Sequence, residues 1–575
     1  MTDMRRTILW IVFLMSLVLL WDAWGKHSGQ ASLFGSLLRP PVAAKPAATS
    51  ASAGASPGAA GVPVASSAIA PAAPVGAPVP LTAAPLPAGE RVTLTTDVVT
   101  ATFDTQGGSL VRLELLAYLD DAAASHHVVL MDQSAQRLYA AQTGLITTQA
   151  GVSLPNHLTQ MTVAPGERTL APGAQELTLK FESPLVDGRK LIKTYTLKRG
   201  EYTMAVRHEF VNQGSTPLVA QLYLQLARDG NIDGGPPSML SPASTFTGPA
   251  MYSDASKYKK LEFADIAKGK AEHDKASDSG WVAMVQHYFA SAWLVPAVGP
   301  REFRTAKIGD NEYTIALVMP LGEVAPGTTR TLDATLFAGP QEETKIAALA
   351  PGLHLVKDYG WLRVLSEPLF WLLNKLHGFI GNWGWAIVAL VVLLKIAFYW
   401  LNASAYKSMG KMKAVAPKVA ELKERYKDKP QEMQAAMMKI YKEEKVNPLG
   451  GCLPIFVQMP FFIALYWVLL SSVEMRGAPW VGWIHDLSAP DPFFILPVVM
   501  TLTTMLQTAL NPAPPDPMQA KMMWIMPLAF SVMFFFFPAG LVLYWITNNV
   551  LSIAQQWLIN TRMGVPPQFN LPKFR

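Results

Sequence analysis

The chain has 575 residues, half of them hydrophobic, with only 16% charged, a formal net charge of +6 and a single cysteine. That charge fraction is too low for an ordinary soluble protein of this length, and the apolar residues crowd towards the two ends. With Cys452 alone, an intrachain disulfide and a cysteine-based zinc site are both excluded.

Arg5 and Arg6 precede an almost wholly apolar run from Ile8 to Trp21. A basic start and a short apolar stretch fit a secretory signal, but Trp21, Asp22, Ala23 and Trp24 are too bulky for the small-residue site that a signal peptidase cuts. Residues 1–24 are therefore expected to stay as a signal-anchor transmembrane helix, with the arginines holding the N-terminus in the cytoplasm. Residues 25–90 turn to Ala, Pro, Ser and Gly, as in Pro71 to Pro80. Such a segment buries too little side chain to fold and predicts a semi-extended linker.

From 91 to 350 the pattern changes to period-two alternation: Val92, Leu94; Leu177, Leu179, Phe181; Met204, Val206, His208, Phe210. Turn residues separate these runs at Gly107-Gly108, Asp187-Gly188 and Gly200. Closely spaced short strands predict a large β-sandwich. Over 358–380 apolar residues recur at helical spacing, interrupted by Arg363, Glu367, Asn374 and Lys375. That suits an amphipathic helix lying in a membrane interface.

Five apolar windows follow, at 383–401, 453–472, 493–510, 522–537 and 540–559. With the anchor they predict six crossings. One ionisable residue, Lys395, sits in the first window, about 18 Å along a helix counted from Trp383. Burying an ammonium there costs on the order of 3 kcal/mol, so it either faces a polar cavity or snorkels towards the headgroups on its aliphatic stem. The connection between the first two windows is dense in lysine, from Lys407 to Lys445, whereas Glu474 to Asp491 holds only Arg476 as a strong base. The positive-inside rule makes the first cytoplasmic and the second external, which puts the β domain outside and both termini inside. Within 403–446, Val415, Val419, Leu422 and Tyr426 form one apolar stripe and Met433, Met437 and Ile440 another. Two amphipathic helices in a hairpin are expected, either a basic arm for partners or a solvated pair whose lysines only fix orientation. Asn447, Pro448, Gly450, Gly451 and Pro454 forbid a continuous helix into the next window and form a candidate hinge or a plain turn.

The stretch NPLGGCLPIFVQMPFFIALYW, Asn447 to Trp467, resembles the signature entry to a core helix of YidC/Oxa-family membrane protein insertases. GWVAMVQHYF (Gly280 to Phe289), NWGWAI (Asn382 to Ile387), WIHDLSAPDPF (Trp483 to Phe493) and FPAGLVLYW (Phe537 to Trp545) fall in matching order. The resemblance implies a polytopic α-helical membrane protein of the Gram-negative type, with a large periplasmic β-sandwich and a five-helix insertase core at 381–562. It further implies a groove open to cytoplasm and lipid, in which Lys395 takes the place of the family's usual arginine. Trp545 stands where tyrosine is common. Gln458, Gln507 and Asn548 are polar groups placed to wet that groove or to join helices. The client is then a nascent membrane protein, with the Sec translocon, translating ribosomes and the phospholipid bilayer as implied partners and no small-molecule substrate.

Two rival classes are weaker. A secondary transporter predicts paired intramembrane charges or an inverted repeat, and neither is visible. An enzymatic β domain predicts an acid/base constellation, but His126, His127, His157, His208 and His287 are scattered. No phosphate loop or metal-ligand cluster is present, so neither nucleotide hydrolysis nor a cofactor is expected. The tail, 563–575, carries few bases, which leaves ribosome docking to the hairpin.

Overall fold

A computed structural model describes residues 89–120, 126–231, 245–426, 430–444, 453–511 and 517–562, with 79, 564 and 569 as single positions. The expected anchor, nearly all of the linker and tail, and Asn447, Pro448, Gly450 and Gly451 of the expected hinge lie outside these residues.

In chain order come β1 (Arg91–Thr95), β2 (Val99–Asp104), β3 (Ser109–Leu119), β4 (His127–Asp132), β5 (Tyr139–Ile146), β6 (Thr162–Val163), β7 (Glu176–Glu182), β8 (Arg189–Lys198) and β9 (Thr203–Asn212). Then follow β10 (Leu218–Asp229), β11 (Gly248–Ser253), β12 (Lys257–Lys260), the short helix α1 (Phe263–Ala267) and β13 (Ala276–Ser277). β14 (Trp281–Val285), β15 (Phe289–Leu294), β16 (Arg301–Gly309), β17 (Glu312–Val324) and β18 (Thr329–Pro340) complete the set. One antiparallel sheet runs β1-β2-β3-β5-β10-β17-β16-β13 with β4 against β3, and the other β12-β11-β14-β15-β18-β9-β8-β7-β6. The β-sandwich read from alternation is what forms. β9 gives the reason: Met204, Val206, His208 and Phe210 point inward while Ala205 and Arg207 stay exposed. β14 and β15 depart from this pattern and are buried on both faces. The outer face is covered by Ile346 of α2 (Glu343–Leu349) and by Leu353 and Val356 of the following 3-10 turn.

Among the described residues eight helices follow: α3 (Arg363–Ile380), α4 (Trp383–Ala397), α5 (Tyr399–Arg425), α6 (Pro430–Glu443), α7 (Leu453–Ser471), α8 (Ile495–Leu510), α9 (Pro517–Met533) and α10 (Ala539–Arg562). α3 buries Leu369, Phe370 and Leu373 and leaves Val364, Trp371 and Phe379 exposed on its other side. α5 and α6 pack through Val415 and Val419 against Met437, Ile440 and Tyr441, with Lys418 paired to Glu444 at 2.5 Å.

The window expected at 383–401 is not one straight helix. Phe398 leaves helical geometry (φ −92°, ψ 9°), its ring edge-on to Phe461 at 5.0 Å, and the arms Trp383–Ala397 and Tyr399–Ser408 meet at 64°. Among the described residues no single helix is long and apolar enough to cross a membrane, although that bent pair is when taken together. α8, with 16 residues, spans about 24 Å against a hydrocarbon core of about 30 Å. α10 is longer, but Asn548, Asn549, Ser552, Gln555 and Gln556 dilute its hydropathy.

Candidate functional site

The helical bundle is built from one end. Asn382 caps α4, its side-chain oxygen accepting from the Trp385 N–H at 3.1 Å while its amide donates to the Pro479 carbonyl at 3.0 Å. Gly384 lies so close to the Trp480 ring that a Cβ would sit 2.2 Å from it. At the start of α10 the N–H groups of Ala539 and Gly540 donate to the Ala489 and Leu487 carbonyls at 2.8 and 2.9 Å. Asp491, 1% exposed, organises the intervening loop by accepting from the Trp483 indole (2.9 Å) and from the N–H groups of Phe493 (3.0 Å) and Leu496 (2.7 Å). Three of the motifs singled out in the sequence thus meet in one scaffold, and that scaffold fixes α4 against α10.

Farther along the two helices, Lys395 reaches across and donates to Ser552 Oγ at 2.7 Å. The ammonium lies beside a small cavity of about 20 Å³ whose polar lining is Lys395, Asn402, Gln458 and Asn548, against Phe398, Phe461 and Tyr544. By that measure it has room for about one water. A peptide segment is far too large for that space. Gln458 donates to Asn548 Oδ1 at 2.9 Å, tying α7 to α10, and Asn402 donates to Gln555 Oε1 at 3.5 Å. Among the described residues no carboxylate pairs with Lys395, whose hydrogen-bond partner is Ser552. The cluster offers a cation with donors to spare beside the amide side chains of Asn402, Gln458 and Asn548.

Of the residues proposed from sequence, Lys395, Gln458 and Asn548 come together. Trp545 stands apart, packed on Phe462, Phe530 and Phe534 with ring centroids 4.7, 6.3 and 5.0 Å away. Gln507 lies on α8, outside the cavity lining. Pro454 falls in the first turn of α7, where a missing N–H costs nothing. Asn402, Ser552 and Gln555 were missed. For Ser552 and Gln555 the signal is a polar stripe along α10 at positions 548, 552 and 555, spaced as one helix face, whereas Asn402 on α5 has none.

A second charged cluster joins the sandwich to the bundle. Lys357, wholly buried, pairs with Glu474 at 3.1 Å and lies 3.9 Å from Glu343, with its ammonium 3.6 Å from the centroid of the Phe370 ring. Burial pulls the Lys357 pKa below its ordinary value, opposed by Glu474 and Glu343. Burial resists ionisation of the neighbouring Asp358, yet Lys260 at 2.8 Å and the N–H groups of Gly360 and Phe246 outweigh it and lower its pKa. His287, from the GWVAMVQHYF motif, bonds through its ring Nε2 to the Leu470 carbonyl at 2.9 Å, and Arg476 donates to Leu119 O at 2.7 Å.

Inside the sandwich a third polar cluster has no opening to solvent. Lys193 Nζ donates to the carbonyls of Gly107 (2.6 Å) and Thr143 (2.7 Å), and Tyr195 OH donates to Gly108 O at 2.7 Å. Gly107 has φ +71°, and a Cβ on it would meet the His157 carbonyl at 2.4 Å, so the turn requires glycine. His157 Nδ1 bonds Tyr223 OH at 2.5 Å and His208 Nε2 bonds Thr143 Oγ1 at 3.0 Å.

A sandwich locked to a bundle with one central cation fits a bacterial inner-membrane protein that carries a periplasmic domain. Residues 375–565 match the family described as 60Kd inner membrane protein, and residues 91–372 match the YidC periplasmic domain. The chain is 55% identical over 569 residues to the membrane protein insertase YidC of Cupriavidus necator, covering 98% of each. Against that of Ralstonia nicotianae it is 52% identical over 563 residues, again covering 98% of each. A crystal structure of an active YidC insertase with its first transmembrane domain resolved is similar over 84% of this chain and 94% of that one, at 18% identity and a TM-score of 0.37. The chain belongs to the YidC family of membrane protein insertases.

Proposed function

We propose that this chain inserts nascent membrane proteins, and acts as a chaperone for their folding and assembly, through a groove between α4, α7 and α10 in which Lys395 is the fixed cation. The observation that carries the reading is the position of Lys395: an ammonium with no acidic partner among the described residues, held between core helices beside Gln458 and Asn548. A client with a short external tail must carry polar and acidic groups across hydrocarbon, each costing several kcal/mol when bare. A polar cavity part-way across shortens that path, and a cation in low dielectric draws acidic tails towards it. The apolar surface of the bundle, including half-exposed Met459 and Phe530, then gives the client helix a route into lipid. In this reading the chain crosses the membrane six times with both termini in the cytoplasm. The basic α5–α6 hairpin meets the ribosome or anionic lipid, and the chain works alone or beside the Sec translocon.

Photo-crosslinkers placed at Lys395 and Met459 should both capture a ribosome-stalled membrane-protein chain, while one placed at the exposed Arg207 of the sandwich should not. Equal capture at all three positions, or none at the first two, contradicts the groove.

A further inference from the structure

The Lys395 ammonium is held by a residue that the groove reading does not itself require. Ser552 is 3% exposed and lies on the face of α10 turned to α4. Its hydroxyl donates its one proton to the Asn548 carbonyl at 2.7 Å, a turn earlier on the same helix. Only its lone pairs remain, and Lys395 Nζ takes one of them at 2.7 Å. The serine is thus oriented on two sides: by its own helix and by the lysine.

A neutral hydroxyl is a weak partner for an ammonium, whereas a carboxylate forms a hydrogen bond about twice as strong. The next side chains along the cavity, Gln458 and Asn548, bond each other at 2.9 Å rather than the lysine. Without an acceptor at 552, the four-carbon stem of Lys395 is free to carry its charge out of the groove towards water.

We propose that Ser552 is a positioning residue that parks the Lys395 ammonium on the α10 wall of the groove. It keeps the charge at cavity depth and gives it up when an Asp or Glu of the client arrives. This rests on the reading of Lys395 as the groove cation. Selectivity for acidic clients then depends on the hydroxyl at 552 as well as on the charge at 395.

The test uses the full-length protein in proteoliposomes and two clients whose short external tails differ only in Asp and Glu replaced by Asn and Gln. The readout is the ratio of acidic-tail to neutral-tail insertion. Ser552→Ala should lower that ratio roughly tenfold or more, the worth of one hydrogen bond to a charged group, and Ser552→Thr should restore it. A Ser552→Ala ratio equal to wild type overturns the proposal, as does a Ser552→Thr variant that behaves like Ser552→Ala. Lys395→Gln separates this failure from that of the underlying reading. If Lys395→Gln collapses the ratio and Ser552→Ala does not, only the positioning role falls. If Lys395→Gln also leaves the ratio intact, the groove cation falls and the positioning role with it.

Discussion

Lys193 in the sandwich and Lys395 in the helical bundle are the same side chain in opposite settings. Lys193 is fully enclosed and donates to two backbone carbonyls that cannot move away. Burial brings its pKa down to about 7. Lys395 donates to one side-chain hydroxyl and borders a cavity between α4, α7 and α10. Burial of a charge is therefore a poor marker of function. The better marker is an unsaturated charge beside space that can open. Lys357 falls between the two, enclosed like Lys193 but paired with a carboxylate from another part of the chain.

If that contrast is right, breaking the structural lysines should cost stability, and breaking the functional one should cost insertion. The largest stability effect is expected at the joint, where Lys357→Ala leaves Glu474 largely buried without its partner. A loss of about 3–5 kcal/mol is expected, read as a lowered thermal or denaturant midpoint of the full-length protein in detergent. Replacing the pair together, Lys357→Met with Glu474→Leu, should recover most of it, because an apolar pair of similar size has no charge left to desolvate. Failure of the double variant to recover would mean that the pair fixes geometry rather than balancing charge.

Next in size is Lys193→Met, which strands the Gly107 and Thr143 carbonyls inside the sandwich. A cost of roughly 2–4 kcal/mol follows from two unsatisfied acceptors. Insertion per folded molecule should match wild type, and a specific insertion defect in the folded variant would erase the contrast with Lys395.

A smaller effect is expected from acid. Burial, reinforced by Lys193, holds the His157 imidazole at about 4 and that of His208 at about 3. Both lie below the ordinary value of 6.5, so the unfolded chain binds more protons than the folded one in between. Sandwich stability should be complete above pH 6.5 and fall as the pH drops towards 4 and then 3. His208→Gln should flatten that decline, as measured by denaturant midpoints at pH 7, 5.5 and 4.5. An unchanged slope would place the proton uptake elsewhere. The smallest effect is expected at the exposed Lys418–Glu444 pair of the hairpin, where Lys418→Ala should leave the melting midpoint unmoved.

Much of this was legible in the sequence, and what was not has physical reasons. The inward set Met204, Val206, His208 and Phe210 follows from period two alone, and it correctly buried a histidine. Lys395 stood out because charge is rare in an apolar run. Its partner did not, because Ser552 lies 157 positions away and a serine in a helix ordinarily bonds its own backbone. The kink at Phe398 left no trace either, since no proline or glycine marks it. The Lys357–Glu474 joint, 117 positions apart, becomes visible only once the sandwich docks on the bundle. Trp545 enters the groove reading by resemblance alone; its ring packs on Phe462 and Phe534, contacts that the sequence does not show.

The central claim, that Lys395 draws acidic client tails into the groove by charge, is tested most directly by reversing both partners. Insertion would be measured for wild type, Lys395→Arg and Lys395→Glu, each with an acidic-tail and a basic-tail version of one client, at matched protein levels in the same membrane. The account predicts that Lys395→Arg follows wild type, that Lys395→Glu loses the acidic-tail client by roughly tenfold or more, and that the basic-tail client regains part of the loss with Lys395→Glu. Equal insertion of the acidic-tail client by wild type and Lys395→Glu would contradict it.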